Sequence, residues 1–205
     1  LFRSSATEIL TLERPTEEAA RESYTYYPHT SSVPEAVAVN VRGKSFKIIS
    51  NVEIDANASG VIFAHGSRFG GHSLFIKDHK LYYVYNFLGI TQQQLVSAAL
   101  KPGKYTFGME FNKEKAGDHG ESIGTAKLYI NDKEVATGPM TAQVGKFTLV
   151  GDGLCVGYDS GDPVGKLYSS PGEFKGGTIH FVTVSTGKEQ YKDLVTEAQR
   201  ALAKE

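Results

Sequence analysis

An all-β chain folded as two packed antiparallel sheets is predicted by three observations. Residues 60–89, GVIFAHGSRFGGHSLFIKDHKLYYVYNFLG, alternate with a period of two, which puts Leu81, Tyr83, Tyr85 and Phe87 on one face and Tyr82, Val84, Asn86 and Leu88 on the other. Turn chemistry punctuates these runs: Gly70-Gly71 supplies positive φ, and Asp78-His79 tolerates the left-handed region. The composition agrees, with 11 Tyr, 11 Phe, 22 Gly and no Trp among 205 residues, as expected where aromatic residues fill strands and glycines close turns.

The elements follow in order. Residues 1–23 are charged and rich in Ala and Glu, with Pro15-Thr16-Glu17-Glu18 opening a short helical turn, and predict a linker. In residues 24–33 Pro28, followed by Pro34, implies an extended edge segment rather than a central strand. Strands are predicted at 36–41, 46–54, 61–64, 73–77, 81–87, 105–111, 125–130, 147–149, 155–158 and 178–185, giving a sandwich over residues 24–186. Asn131-Asp132 marks a hairpin tip, and the polar stretch 113–122 an exposed excursion. Over residues 187–205 the period changes. Tyr191, Leu194, Val195, Ala198, Ala201 and Leu202 form one stripe of an amphipathic helix, which is expected to pack on its own sandwich.

The charge balance excludes one class of partner. Lys and Arg number 22 against 23 Asp and Glu, so no phosphate-binding footprint exists and nucleic acid is not an expected partner. No apolar run approaches the ~18 residues of a membrane span, so a soluble chain is expected. The lone cysteine, Cys155, lies between apolar neighbours and is read as a small buried hydrophobe rather than a nucleophile. The start at Leu1-Phe2-Arg3 is expected of a fragment of a longer polypeptide.

Several residues are candidates for binding. Tyr83, Tyr85 and Phe87, with Asn86 and Arg68 near the same sheet end, form a possible platform for a sugar or a protein, and Phe69 and His72 join this set. The competing reading places such tyrosines in the core. His65 and His72 flank Gly70-Gly71 and are the one histidine pair with a prospect of meeting. Asp159 and Asp162, in the Gly-rich segment GYDSGDP, offer oxygen ligands for Ca²⁺, against the plainer reading of turn carboxylates that accept backbone N–H bonds. Glu53 and Glu110 fall on strands and are expected to face solvent.

The phrases GVIFAHG, SLFIKDHKLYYVYNFLG, LKPGKYTFGMEF, GTAKLYINDKEVATG, LCVGYDSGDPV and FKGGTIHFVTVS, in that order, resemble the laminin-G and concanavalin-A-like (jelly-roll) sandwiches. Residues from about Tyr24 to Ser185 more specifically resemble the domain that follows the catalytic domain in a bacterial subgroup of arylsulfatases, through YYP, VPEAVAVNV, RFGGHSL, KLYYVYNFLG and VGYDSGDPV. Two positions depart from that pattern: His72 replaces an aromatic ring, and Asp118-His119 occupies a loop that is usually glycine-rich. The resemblance implies an accessory, non-catalytic domain that packs on a sulfate-ester hydrolase domain, and a bacterial cytoplasmic or periplasmic setting. The sulfatase motif Cys/Ser-x-Pro-x-Arg has no counterpart, since Cys155 precedes Val156-Gly157-Tyr158-Asp159 and Ser32-Val33-Pro34-Glu35-Ala36 lacks the arginine. The resemblance implies that the chemistry and its divalent metal belong to that catalytic domain, with no cofactor in this chain beyond the possible Ca²⁺. The alternatives are an independent carbohydrate-binding module and, ranking lower, a sandwich glycosidase with two facing carboxyl groups.

Overall fold

The computed structural model describes residues 23–147 and 152–187. Ten strands lie in this range: β1 (Ser23–Tyr26), β2 (Phe46–Ser67), β3 (Gly70–Lys77), β4 (Lys80–Phe87), β5 (Thr91–Ala99), β6 (Gly103–Ala116), β7 (Ser122–Ile130), β8 (Lys133–Ala142), β9 (Leu154–Val156) and β10 (Lys175–Thr186). All named pairings are antiparallel.

The 22-residue β2 organises the molecule, because its two halves belong to different sheets. Its first half, Phe46 to Ile54, pairs with β6 and β10 and gives one sheet in the order β1-β10-β2-β6-β7-β8. Its second half, Gly60 to Ser67, pairs with β3 and β9 and gives the other, β9-β2-β3-β4-β5. The exposed link from Asp55 to Asn57 joins the halves, so what the sequence presents as two strands is one chain crossing between sheets.

Alternation decides which side chains meet between the sheets. Phe46, Ile48 and Val52 of β2, Phe107, Met109 and Phe111 of β6, Leu128 of β7 and Val182 and Val184 of β10 face Leu74, Ile76, Leu81, Tyr83 and Tyr85 of the second sheet in one core. A smaller cluster covers the outer face of the second sheet: Val61, Ala64, Phe75 and Val84 pack under Val164, Leu167 and Tyr168 of the segment between β9 and β10. Burial on both faces explains why Leu81–Tyr85 of β4 and Leu74–Ile76 of β3 read as unbroken apolar runs. Along one open side a single amide bridges the sheets. Gln93 on edge strand β5 donates to the Thr141 carbonyl of edge strand β8 at 2.8 Å and accepts its N–H at 2.7 Å, the pattern of one ladder rung.

Several sequence expectations are corrected. Residues 36–41 form no strand, because Pro34 starts a turn in which its carbonyl accepts the N–H groups of Val37 and Ala38. The turn between β2 and β3 is Arg68-Phe69, and Gly70-Gly71 lies inside β3. Glycine is needed at position 71 because its φ is 143° and a Cβ would collide with the His65 carbonyl across the ladder. β5 and the length of β8 were not predicted, and β6 runs on to Ala116, into the first part of the expected polar excursion. Glu110 is buried, and its Oε2 accepts the Tyr129 hydroxyl at 3.1 Å. The Asn131-Asp132 tip is found as expected, with Asn131 at φ 56°. The predicted linker up to residue 22 and the helix from residue 188 lie outside the described residues, as does most of the predicted strand 147–149.

Candidate functional site

Three loops meet at one end of the second sheet: Arg68-Phe69 between β2 and β3, Leu88-Gly89-Ile90 between β4 and β5, and Val144-Gly145-Lys146 after β8. Two buried side-chain amides hold them together. Asn86 donates to the Arg68 carbonyl at 2.8 Å and the Val164 carbonyl at 2.9 Å, while its oxygen accepts the Gly89 N–H at 3.0 Å. Gln143 accepts the Leu88 N–H at 3.1 Å and donates to the Lys146 carbonyl at 2.8 Å, and its own N–H donates to the Tyr85 hydroxyl at 2.8 Å. A fully satisfied polar network of this kind fixes loop geometry.

The scaffold displays apolar tips. Phe69 is 52% exposed, Leu88 48%, Ile90 79% and Val144 48%. The Arg68 guanidinium lies 4.8 Å from the Phe69 ring centre, and its Nε is 3.0 Å from Asp162 Oδ2, which docks the β9–β10 segment against this end. Leu88 and Gly89 have φ values of 55° and 72°, and the Ile90 N–H donates to the Phe87 carbonyl at 2.9 Å, as in a type I′ turn. Asn-Gly is the favoured pair for that turn, and leucine in the left-handed region is strained.

The predicted platform divides between this end and the core. Arg68 and Phe69 are exposed and Phe87 is half-buried, but Tyr83, Tyr85, His72 and Asn86 are buried. These four form no exposed platform: the tyrosine face of β4 packs against the other sheet, and Asn86, on the opposite face, is covered by the segment that carries Val164. The tyrosine hydroxyls find internal partners instead: that of Tyr83 lies 3.0 Å from His72 Nδ1, and that of Tyr85 accepts from the Gln143 N–H. Burial raises both phenol pKa values.

His65 and His72 do meet, as partners across the β2–β3 ladder with ring centres 5.8 Å apart. Both are fully buried. His72 Nε2 and both His65 nitrogens have no hydrogen-bond partner among the described residues. Burial, reinforced by the positive charge of Arg42, pushes His65 down to about 3, and burial with His65 alongside holds His72 well below the usual imidazole range. Their surroundings are aromatic, with Phe147 4.9 Å from His65 and Phe46 and Phe63 at 5.3 and 5.2 Å from His72. Among the described residues no three His, Cys, Asp or Glu side chains gather as a metal would need.

Asp159 and Asp162 take different partners. Asp159 is buried, and its Oδ2 accepts from Val164 N–H at 3.0 Å and the Tyr168 hydroxyl at 2.6 Å, pinning the segment that covers the outer cluster. Burial pushes its carboxyl up to about 6, with the two hydrogen bonds opposing. Asp162 points to Arg68. Cys155 is buried and its thiol donates to Ser160 Oγ at 3.2 Å.

A cleft lies elsewhere on the surface, about 370 Å³ in volume, between Pro28-His29, Val156-Gly157-Tyr158, Glu173-Phe174 and Gly177-Thr178-Ile179. Sequence reasoning missed it, because four separate segments build it. Glu173 is the only carboxylate in its lining, so the paired carboxyls of a glycosidase are not provided there.

No family profile and no curated protein matches the sequence. Among solved structures, the chain is similar to domains LG4-5 of the mouse laminin alpha1 chain (14% identity, TM-score 0.48, covering 82% of this chain and 41% of that one). It is also similar to the botulinum neurotoxin serotype D binding domain (8% identity, TM-score 0.47, 86% and 40%). A third similar structure is the Caenorhabditis elegans galectin LEC-6 (11% identity, TM-score 0.41, 78% and 95%). The chain thus spans about two fifths of the laminin and toxin structures, 41% and 40%. No helix among the described residues is long and apolar enough to cross a membrane.

Proposed function

We propose that the chain is a non-catalytic binding module that docks on a folded protein through the loop end built by Arg68-Phe69, Leu88-Ile90 and Val144. The observation that carries this is Leu88: a left-handed leucine costs the fold ~1–2 kcal/mol, and its half-exposed side chain returns little burial to offset that cost. Asparagine would close the same turn without strain. Strain retained at an exposed apolar tip is accounted for by contact made outside the chain. The neighbouring groups suit a protein partner, since Phe69 and Arg68 are anchor residue types, and Asn86 and Gln143 hold the tips in place before binding. A lipid surface is favoured less, because stable electrostatic attachment takes several cationic side chains. These loops carry Arg68 and Lys146, and the first already pairs with Asp162. In the polypeptides whose phrases this sequence resembles, the partner is the sulfate-ester hydrolase domain of the same chain.

The test combines three measurements. The purified chain is expected to leave p-nitrophenyl sulfate intact. It is expected to form a complex, seen by sedimentation velocity, with the separately expressed preceding portion of its own reading frame. Leu88→Asn should raise the stability of the isolated chain by ~1 kcal/mol while weakening that complex at least tenfold. Sulfate-ester turnover, absence of a complex, or binding to phosphatidylserine vesicles in place of protein would overturn the proposal.

A further inference from the structure

The cleft beside β10 is assembled by local features that serve its shape. The pairing of β10 with β2 breaks register between Lys175 and Gly177, where β2 loops out residues 55–58, and Gly176, at φ 72°, sits where a Cβ would press on the Asn57-Ala58 backbone. Thr178 faces outward while its strand neighbour Ile179 is buried in the floor beside Val156. Across the gap Gly157, at φ 84°, leaves open the space between Ile179 and Pro28, 3.7 and 3.9 Å from where its Cβ would stand. His29 is held at φ 62°, in a loop fixed by Thr30 donating to the Tyr27 carbonyl and by the Tyr158 hydroxyl donating to the Thr30 carbonyl. Glycines and left-handed residues gathered around one concavity keep it open.

Its chemistry divides in two. Pro28, Tyr158 and Phe174 supply half-buried apolar walls, and His29, Glu173 and Thr178 supply an exposed polar rim. A volume near 370 Å³ falls at the lower end of the ~300–1,000 Å³ of small-molecule sites, so the cleft suits a single ring rather than an extended chain. Apolar walls fit the C–H faces of a saturated ring, while a carboxylate and a hydroxyl accept and donate to neighbouring hydroxyl groups. A phosphate or sulfate ester is disfavoured, because the one formally charged side chain in the lining is Glu173. A quaternary ammonium would need a fuller aromatic enclosure than the rings of Tyr158 and Phe174 provide.

We infer that this cleft is a binding site for one neutral pyranose unit, held between Tyr158, Phe174 and Pro28 and oriented by Glu173 and Thr178. The inference is independent of docking at the loop end.

The test is a titration of the ¹⁵N-labelled chain with methyl α- and β-pyranosides of glucose, galactose and mannose, followed by amide shifts, with choline chloride and inorganic sulfate as comparison probes. At least one glycoside is expected to saturate in the millimolar range and to move the amides of Gly157, Tyr158, Gly177 and Thr178. Glu173→Gln changes an exposed side chain and should weaken binding about tenfold with the remaining spectrum intact. Ile90→Asp, which attacks the loop end, should leave the sugar affinity unchanged, so the two proposals fail separately. Absence of any glycoside response, shifts confined to other surfaces, a response to choline or sulfate alone, or unchanged affinity in Glu173→Gln would overturn the inference.

Discussion

Replacing His65 by leucine tests how a buried, unpartnered imidazole acts on this fold. In the unfolded chain the ring titrates near 6.5, and in the folded chain it is held down to about 3, first by burial and then by Arg42. As pH falls below 6.5 the unfolded state therefore binds a proton that the folded state refuses, and stability drops until the pH reaches about 3. At pH 4.5, about two units below the unfolded value, the loss from this one group is about 3 kcal/mol. Leucine neither titrates nor leaves ring nitrogens without partners. At pH 7 His65→Leu should be more stable than the natural chain by ~1–3 kcal/mol, the cost of an unsatisfied buried polar group. Urea denaturation at pH 7 and 4.5, followed by circular dichroism because the chain has no Trp, gives both quantities. The difference between the two proteins cancels the titration of all groups they share. His72 stays depressed by burial, the larger of its two causes, when His65 is replaced, so a residual acid slope persists in the variant. Parallel pH dependences for the two proteins would refute the reasoning, for they would mean that His65 reaches water or a partner in the folded state.

Asp159 should act with the opposite sign. Its carboxyl is raised from 3.8 to about 6 by burial, so the folded state binds the proton first and stability rises as pH falls through that window. Asp159→Asn should remove a gain of about 3 kcal/mol between pH 6.5 and 3.8, read from the same denaturation series. Gly71→Ala forces a Cβ into the His65 carbonyl at φ 143° and should cost more than ~3 kcal/mol, whereas Gly120→Ala, at φ 82° in open space, should cost ~1 kcal/mol; chemical denaturation of both variants checks the contrast.

The sequence carried the period of β4 and the Asn131-Asp132 hairpin because both are local signals. It hid β5, whose opening Thr91-Gln92-Gln93-Gln94 looks like polar loop, because the strand lies at an edge where Gln93 is needed for its amide bonds to β8 rather than for apolar burial. β2 looked like two strands because the polar link between its halves crosses from sheet to sheet. Tyr83 and Tyr85 stayed open between a binding platform and the core because the partners of their hydroxyls, His72 and Gln143, stand 11 and 58 positions away, where no spacing rule identifies them. The loop end was half legible. Arg68, Phe69 and Phe87 were singled out, but Ile90 and Val144 join them only through tertiary contacts. The Leu88-Gly89 pair was the available signal, since a bulky residue ahead of glycine between alternating runs marks a strained turn.

Buried polar side chains in this protein fall into two kinds that composition does not separate. Asn86, Gln143 and Asp159 engage two to four partners each and join loops that share no ladder, so their removal should release the loop end or the segment above the outer cluster. His65 and His72 have one resolved partner between them, the Tyr83 hydroxyl, and lie under the same loops. A partly satisfied buried network lowers stability where a complete one adds definition. It follows that apolar replacements at the histidines should strengthen the fold without altering docking, while an apolar replacement at Asn86, equal in size and equally buried, should abolish docking by freeing Arg68, Gly89 and Val164 from a common anchor. The distinction between the two kinds rests on hydrogen-bond geometry, which is why β2 to β4 contain both a support of the loop end, Asn86, and an acid-sensitive pair of the core, His65 and His72.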